Sequence, residues 1–321
     1  MSQPRCIDVF NGDADGLCAL RQLRLAEPAD SELVTGVKRD IALLERVRAG
    51  AGDLVTVLDV SLDRNRPALV ALLSSGVKVR YFDHHHAGEV PVHAGLEMVI
   101  DTASGTCTSM LVDGYLGGRF RIWAVVAAFG DNLDQTAMDL GGSLALGAAD
   151  LEKLRELGRS LNYNAYGESE RDLLISPAAL YRLLARHDDP LRFIAREGIY
   201  ARLNTARRAD LEAALAVAPR WSRDGAGVYL LPDMAWSRRV NGAFANHLAR
   251  THPHRAQAVL APCRAGGYIV SVRAPADAGR GADEFCRAFP TGGGRRDAAG
   301  IDLLPLERLK QFEERFAATF G

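Results

Sequence analysis

Asn11, Asp13 and Asp15 fall within five residues in NGDADG, Asp59 stands in VLDVS, Asp83 is followed by His84, His85 and His86, and Asp131 lies in FGDNLD. Carboxylates gathered without a counter-charge raise one another's pKa and destabilise the fold that holds them. A divalent cation removes the conflict, and a mixed Asp/His set favours Mn²⁺, Zn²⁺ or Fe²⁺ over Ca²⁺. Two such ions about 3.5–4 Å apart, bridged by one carboxylate, can activate a water and neutralise a phosphoryl oxygen. Each piece alone also has an ordinary reading: DADG as a turn, Asp59 as a helix N-cap, the histidines as a solvated loop. It is their combination that points to a metal site. A G-x-G-x-x-G loop, a Walker A sequence and a G-x-S-x-G elbow are all missing. This argues against nicotinamide, P-loop and serine-hydrolase chemistry.

The elements that must position these residues follow from periodicity. CIDVF, ELVTGV, LVTVLDV, VKVRYF and LEMVI read as five strands. Residues 16–26, IALLERVRA and 66–73 read as the helices between them, with Gly76 ending the last. Such alternation predicts an α/β fold with a doubly wound parallel sheet in the N-terminal domain. In an open parallel sheet, ligands bind beyond the carboxyl ends of the strands, so the clusters of Asn11–Asp15, Asp59 and Asp83–His86 converge on one crevice; Asp131, a fourth candidate, lies just past a predicted helix. From about 106 to 218 the pattern is helical, a connector with helices at 107–116, 122–129, 151–161, 178–185 and 206–217. The polar stretch PRWSRDGAG, 219–227, reads as a linker. A smaller α/β domain over 228–321 follows, with strands at 228–231, 256–260 and 268–273 and helices at 240–249, 283–288 and from 306. A glycine-rich loop lies at Gly292, Gly293 and Gly294.

Length, 321 residues, suits two domains, and no apolar run approaches the ~20 residues needed to span a bilayer. The N-terminus lacks a signal-peptide layout, so a cytoplasmic protein without a membrane partner is expected. The five cysteines form no C-x-x-C and read as reduced core thiols. The net charge of −1 is uneven: residues 226–321 hold 13 Lys/Arg against 9 Asp/Glu, and residues 1–225 hold 26 against 31. A basic half beside an acidic one suits a grip for anions next to a cation site.

FNGDADG, VLDVS, YFDHHH and FGDNLD, in that order, resemble motifs I to IV of the DHH phosphoesterases. VSVRAP with GGGRRDAAGI resembles the DHH-associated C-terminal domain, whose signature is an S-x-R strand followed by GGGH-x-x-AAG. The resemblance is to the nano-RNase and oligonucleotide phosphodiesterase type. It implies two α/β domains with a cleft between them. It implies one or two Mn²⁺ or similar ions held by Asp13, Asp15, Asp59, His84 or His85, and Asp131, with Asp59 bridging and Asp83 a ligand or support. His85 would lie near the scissile phosphate, with Asp83, His84 and His85 forming the catalytic group. Asn11, His85, Arg273, Gly292–Gly294 and Arg295 would contact the substrate. Three positions depart from the pattern. Val9 stands where many members have a histidine, Asn11 where the single-strand exonuclease branch often has an aspartate, and Arg295 where the glycine loop has its histidine.

The expected function is metal-dependent hydrolysis of a phosphoester in a short nucleotide: a di- or oligonucleotide, a linearised cyclic dinucleotide or a bisphosphonucleoside. Beyond two domains nothing is left to track a long strand, and no aromatics interleave with Lys/Arg as a stacking channel requires. The alternatives are a non-catalytic nucleotide-binding or regulatory protein and a single-strand exonuclease. The oligomeric state is open, a homodimer being one option.

Overall fold

The computed structural model describes residues 4–275 and 277–321. The chain divides into two compact units, Met1–Asn204 and Thr205–Gly321.

The first unit opens with β1 (Cys6–Asn11), α1 (Ala14–Ala26), β2 (Ser31–Gly36), β3 (Leu54–Leu58), α2 (Leu62–Ser74), β4 (Lys78–Asp83) and β5 (Leu96–Ile100). The five strands form one parallel sheet in the order β2-β1-β3-β4-β5. This is the doubly wound α/β arrangement expected, with its switch point between β1 and β3. Alternating side chains feed two cores. Ile7, Val9, Val55, Val57, Val79 and Tyr81 pack on the α2 side, while Phe10, Leu58 and Phe82 pack against α1 and the later helices. Asp8 breaks the apolar run of β1 and is fully buried, matched by Arg24 of α1 and by the Ser31 hydroxyl at 2.6 Å. IALLERVRA is not the expected helix but a single 3₁₀ turn at Leu43–Arg46. Asn65 of α2 holds it so, donating to Ile41 O at 2.6 Å and accepting from the Leu44 N–H at 3.1 Å.

The connector carries α3 (Thr108–Tyr115), α4 (Arg121–Gly130), α5 (Asp134–Gly142), α6 (Ala148–Ala165), α7 (Pro177–Leu184), α8 (Pro190–Arg196) and α9 (Gly198–Leu215). The apolar helix α4 lies at its centre, with Trp123 through Phe129 fully buried.

The second unit contains β6 (Trp221–Arg223), β7 (Ala226–Leu230), α10 (Ala235–Thr251), β8 (Ala256–Cys263), β9 (Gly267–Arg273), α11 (Ala282–Cys286), β10 (Gly292–Gly294), β11 (Ala298–Pro305) and α12 (Leu309–Phe320). Its mixed sheet runs β10-β11-β9-β8-β7-β6. Phe285, Phe289, Phe312 and Phe316 fill the core beneath it. Two expectations are corrected. The stretch 219–227 is not a linker, because β6 and β7 pair there as a hairpin. The division between units falls earlier, inside α9 rather than after 218, and Asp210 of α9 pairs with Arg239 of α10 at 2.7 Å.

Candidate metal centre

Asp13 ends the β1–α1 turn as the N-cap of α1. Its Oδ1 accepts the Asp15 and Gly16 N–H groups, both at 3.1 Å. The turn requires Gly16, since a Cβ there would stand 2.2 Å from the Asn11 carbonyl oxygen. The other oxygen, Oδ2, meets the Lys38 ammonium, which also lies 3.7 Å from Asp131 Oδ1. Burial opposes the charge on Asp13, yet Lys38 outweighs it and holds the carboxyl below its usual range.

Asp15 is fully buried and caps a different helix from the one it starts. Its Oδ2 and Oδ1 accept the Thr108 and Ser109 N–H groups of α3, each at 2.7 Å. Burial, then Asp131 and Asp13, push its pKa up to about 8 despite those donors. Asp59 follows β3 with φ of 58°, a left-handed conformation rare outside glycine and best tolerated by Asn and Asp. Its N–H is tied to Phe82 O at 3.1 Å across the sheet. Burial drives this carboxyl well above its usual range, and Asp13, Asp15 and Asp131 add to the effect. Asp131 is the C-cap of α4, and burial raises its pKa as well.

β4 delivers Asp83 and the histidines. Asp83 Oδ1 accepts the His84 N–H at 2.9 Å and lies 2.7 Å from His85 Nδ1, while Oδ2 is buried without a protein partner. His84 Nδ1 lies 3.0 Å from Thr106 O, and a carbonyl only accepts, so the proton sits on Nδ1. The Nε2 lone pair then points among three carboxylates: Asp59 Oδ1 at 3.4 Å, Asp15 Oδ2 at 3.9 Å and Asp131 Oδ2 at 3.9 Å. Two donors sharing an ion at about 2.1 Å stand roughly 3.0–3.4 Å apart, so the spacing is close to that of a ligand set. Burial, then the neighbouring His85, lowers the His84 pKa, which favours the neutral ring that binds metals. His85 is 45% exposed, and its hydrogen bond to Asp83 raises its pKa.

Asp13, Asp15, Asp59, Asp83, His84, His85 and Asp131 therefore meet, whereas His86 is exposed and Asn11 sits half-buried at the end of β1 with its Oδ1 unpartnered among the described residues. Among the described residues two triads stand out, the ligand atoms within each lying within 4.8 Å of one another: Asp59, His84 and His85, and Asp15, Cys107 and Asp131. Cys107 and Lys38 were not foreseen. Cys107 is the buried N-cap of α3, and burial, with Asp15 and Asp131 nearby, keeps it a thiol. Lys38 offered one signal, being one of only four lysines and following a strand.

In the second unit, Arg273 closes β9. Its Nε donates to Asn246 Oδ1 at 2.7 Å, and its Nη1 to Val272 O at 2.8 Å. Gly292–Gly294, expected as a loop, form strand β10, paired with β11. A Cβ at Gly292 would stand 1.7 Å from Cys286 O, and Gly294 has φ of 138°, so packing and conformation both demand glycine. Exposed Arg295 starts the turn that returns at Ala298, which pairs in turn with Arg273. The two arginines and the glycine strand thus share one end of the sheet.

No protein-family model matches this sequence, and no curated protein does. Solved structures do match it. An exonuclease RecJ bound to manganese superposes with a TM-score of 0.63 at 21% identity, over 99% of this chain and 91% of that one. RecJ from Thermus thermophilus in complex with Mn²⁺ gives 0.68 at 22% identity over 98% of this chain, which spans only 51% of that protein. The pGpG-specific phosphodiesterase PggH from Vibrio cholerae gives 0.56 at 14% identity, over 98% of this chain and 99% of that one. The fold is the one these proteins share.

Proposed function

We propose that this chain is a DHH-superfamily phosphoesterase that uses a divalent metal, Mn²⁺ foremost, to hydrolyse a phosphoester in a short nucleotide. The observation that carries this reading is His84. Its Nδ1 is committed to Thr106 O, and its Nε2 faces Asp59, Asp15 and Asp131 at 3.4–3.9 Å beyond the strand ends. The donor set fits a borderline cation, and the unpartnered Asp83 Oδ2 and Asn11 Oδ1 are buried acceptors of the kind a bound group satisfies. The fold shared with manganese-bound RecJ agrees with this.

In this reading His84, Asp59, Asp15 and Asp131 hold the metal, with Asp13 beside them and Asp83 in support. A bound divalent ion supplies charge neutralisation at a phosphoryl oxygen and a more acidic water. The chain supplies the rest. Asp83 fixes the His85 ring through Nδ1 and favours its protonated form, so the other ring nitrogen can donate to a phosphoryl or leaving-group oxygen as the P–O bond breaks. Asn11 contacts the substrate through its amide. Arg273, Arg295 and the Gly292–Gly294 strand take a remote phosphate, where a guanidinium gives a charge-assisted contact.

The likeness to PggH, matched over nearly its whole length, favours a dinucleotide substrate. The likeness to RecJ favours a second reading, a single-strand exonuclease. A screen of purified protein with Mn²⁺ separates them. Release of mononucleotides from a dinucleotide, with single-stranded DNA left intact, supports the first. Asp59→Ala and Asp83→Ala should each abolish that hydrolysis, and full activity in both variants rules the metal centre out as the catalytic site.

A further inference from the structure

The acidic cluster contains a cation of its own. Lys38 Nζ contacts Asp13 Oδ2 and lies 3.7 Å from Asp131 Oδ1. The side chain is held in place: its backbone N–H donates to Ala165 O at 2.9 Å, and the ammonium lies 5.7 Å from the centroid of the Tyr166 ring, both at the end of α6. Asp13 is spent in consequence. Its Oδ1 takes two N–H groups as the cap of α1 and its Oδ2 takes the lysine, and Asp13 belongs to neither ligand triad. Two further positions agree. Asn11 offers a neutral amide at the end of β1, and Val9 is packed in the apolar cluster with Ile7, Val34, Val55 and Val57, where no imidazole could serve.

We infer that the Lys38 ammonium stands where a second metal ion would otherwise sit, so that the centre holds one divalent ion beside a fixed organic cation. This rests on the metal-site reading above. The ion belongs with His84 Nε2, Asp59, Asp15 and the Oδ2 of Asp131, while Lys38 takes Asp13 and the Oδ1 of the same Asp131. Asp131 then lies between the two positive charges. A second divalent ion at Asp13 would have to displace the ammonium from Oδ2 or sit within a few ångströms of it against their repulsion, so the lysine weakens that site.

The test counts ions and does not depend on turnover. Full-length protein is saturated with MnCl₂, desalted and measured by elemental analysis and electron paramagnetic resonance. Wild type should carry one Mn²⁺ per chain with the hyperfine pattern of an isolated ion, and Lys38→Arg should do the same. Lys38→Met, which keeps length and removes charge, should bind a second Mn²⁺ at least roughly 100-fold more tightly than wild type and show an exchange-coupled pair. A coupled pair in wild type overturns the inference whether or not Lys38→Met folds. A folded Lys38→Met that stays at one ion, judged by circular dichroism, overturns it as well. No bound Mn²⁺ in either protein removes the underlying metal-site reading and this inference with it.

Discussion

Without a metal in the proposed centre, this protein should have an inverted pH dependence of stability. Most proteins lose stability on mild acidification because native carboxylates are better stabilised than unfolded ones. Here burial and mutual repulsion reverse the order: Asp15 moves from 3.8 to about 8, and Asp59 and Asp131 are also raised. Above pH 3.8 the unfolded chain releases protons that the metal-free fold retains. Stability therefore falls as pH rises, until the folded group itself ionises near 8. Each retained proton contributes about 1.4 kcal/mol per pH unit. His84 opposes this below about 6.5, because its depressed pKa means the unfolded chain binds a proton that the fold refuses. The window is thus pH 6.5 to 8, worth about 2 kcal/mol per proton; His85, whose pKa Asp83 raises, adds to the fall there, so the protons belong to the cluster with His85 rather than to one side chain. Asp13, held low by Lys38, titrates outside this range. The assay is urea unfolding of chelator-treated protein across the window. Asp15→Asn should remove about one proton's worth of slope. Saturating Mn²⁺ should flatten the slope, since metal ligands must be deprotonated to bind and the unfolded carboxylates are already ionised in this window. Metal-free stability that is flat or rises with pH would refute the argument that these carboxylates are held together against their own repulsion.

Arg273→Ala should reduce kcat/KM for a dinucleotide bearing a free terminal phosphate by roughly 10- to 150-fold, the cost of about 1.5–3 kcal/mol for a lost charge-assisted contact. A generic aryl phosphodiester should be affected little, and equal losses on both substrates would show that Arg273 reads no remote phosphate. Gly292→Ala should destabilise the fold by at least about 2 kcal/mol in urea, because its Cβ would fall 1.7 Å from Cys286 O. Gly293→Ala, with nothing within 4 Å of the new Cβ, should stay within about 0.5 kcal/mol, and equal effects would remove the packing explanation of the glycine strand.

The parallel sheet and the acidic cluster were legible because each relies on local pattern. The strands of the first unit are short apolar runs, and the motifs of Asp13, Asp59 and Asp83 each stand at the end of one, so topology brings these three to one edge, while Asp131 comes from the end of α4. What was missed depends on contacts distant in sequence. IALLERVRA has helical periodicity, but Asn65, some twenty residues on, takes its backbone groups into a 3₁₀ turn. β11, AAGIDLLP, is poor in β-forming residues at its start and is a strand because β9 and β10 flank it. The linker reading of 219–227 failed likewise, since polar residues serve a hairpin as well as a loop.

The metal centre has the same division. Sequence places carboxylates at strand ends but does not say which atoms remain available there. Asp13 and Asp15 are two residues apart in one motif, yet one is capped by its own helix and a lysine while the other is held at the start of α3. The sequence pattern treats them as equivalent ligands; the structure does not. Each oxygen of Asp15 accepts one N–H, and its Oδ2 stays 3.9 Å from His84 Nε2, whereas Asp13 Oδ1 accepts two N–H groups and its Oδ2 meets an ammonium. The residue that makes the difference, Lys38, lies outside every acidic motif and reaches the cluster only because β2 is hydrogen-bonded beside β1. If the proposed centre binds one divalent ion beside Lys38, the number of cations is set by the strand that delivers Lys38 and not by the acidic motif itself.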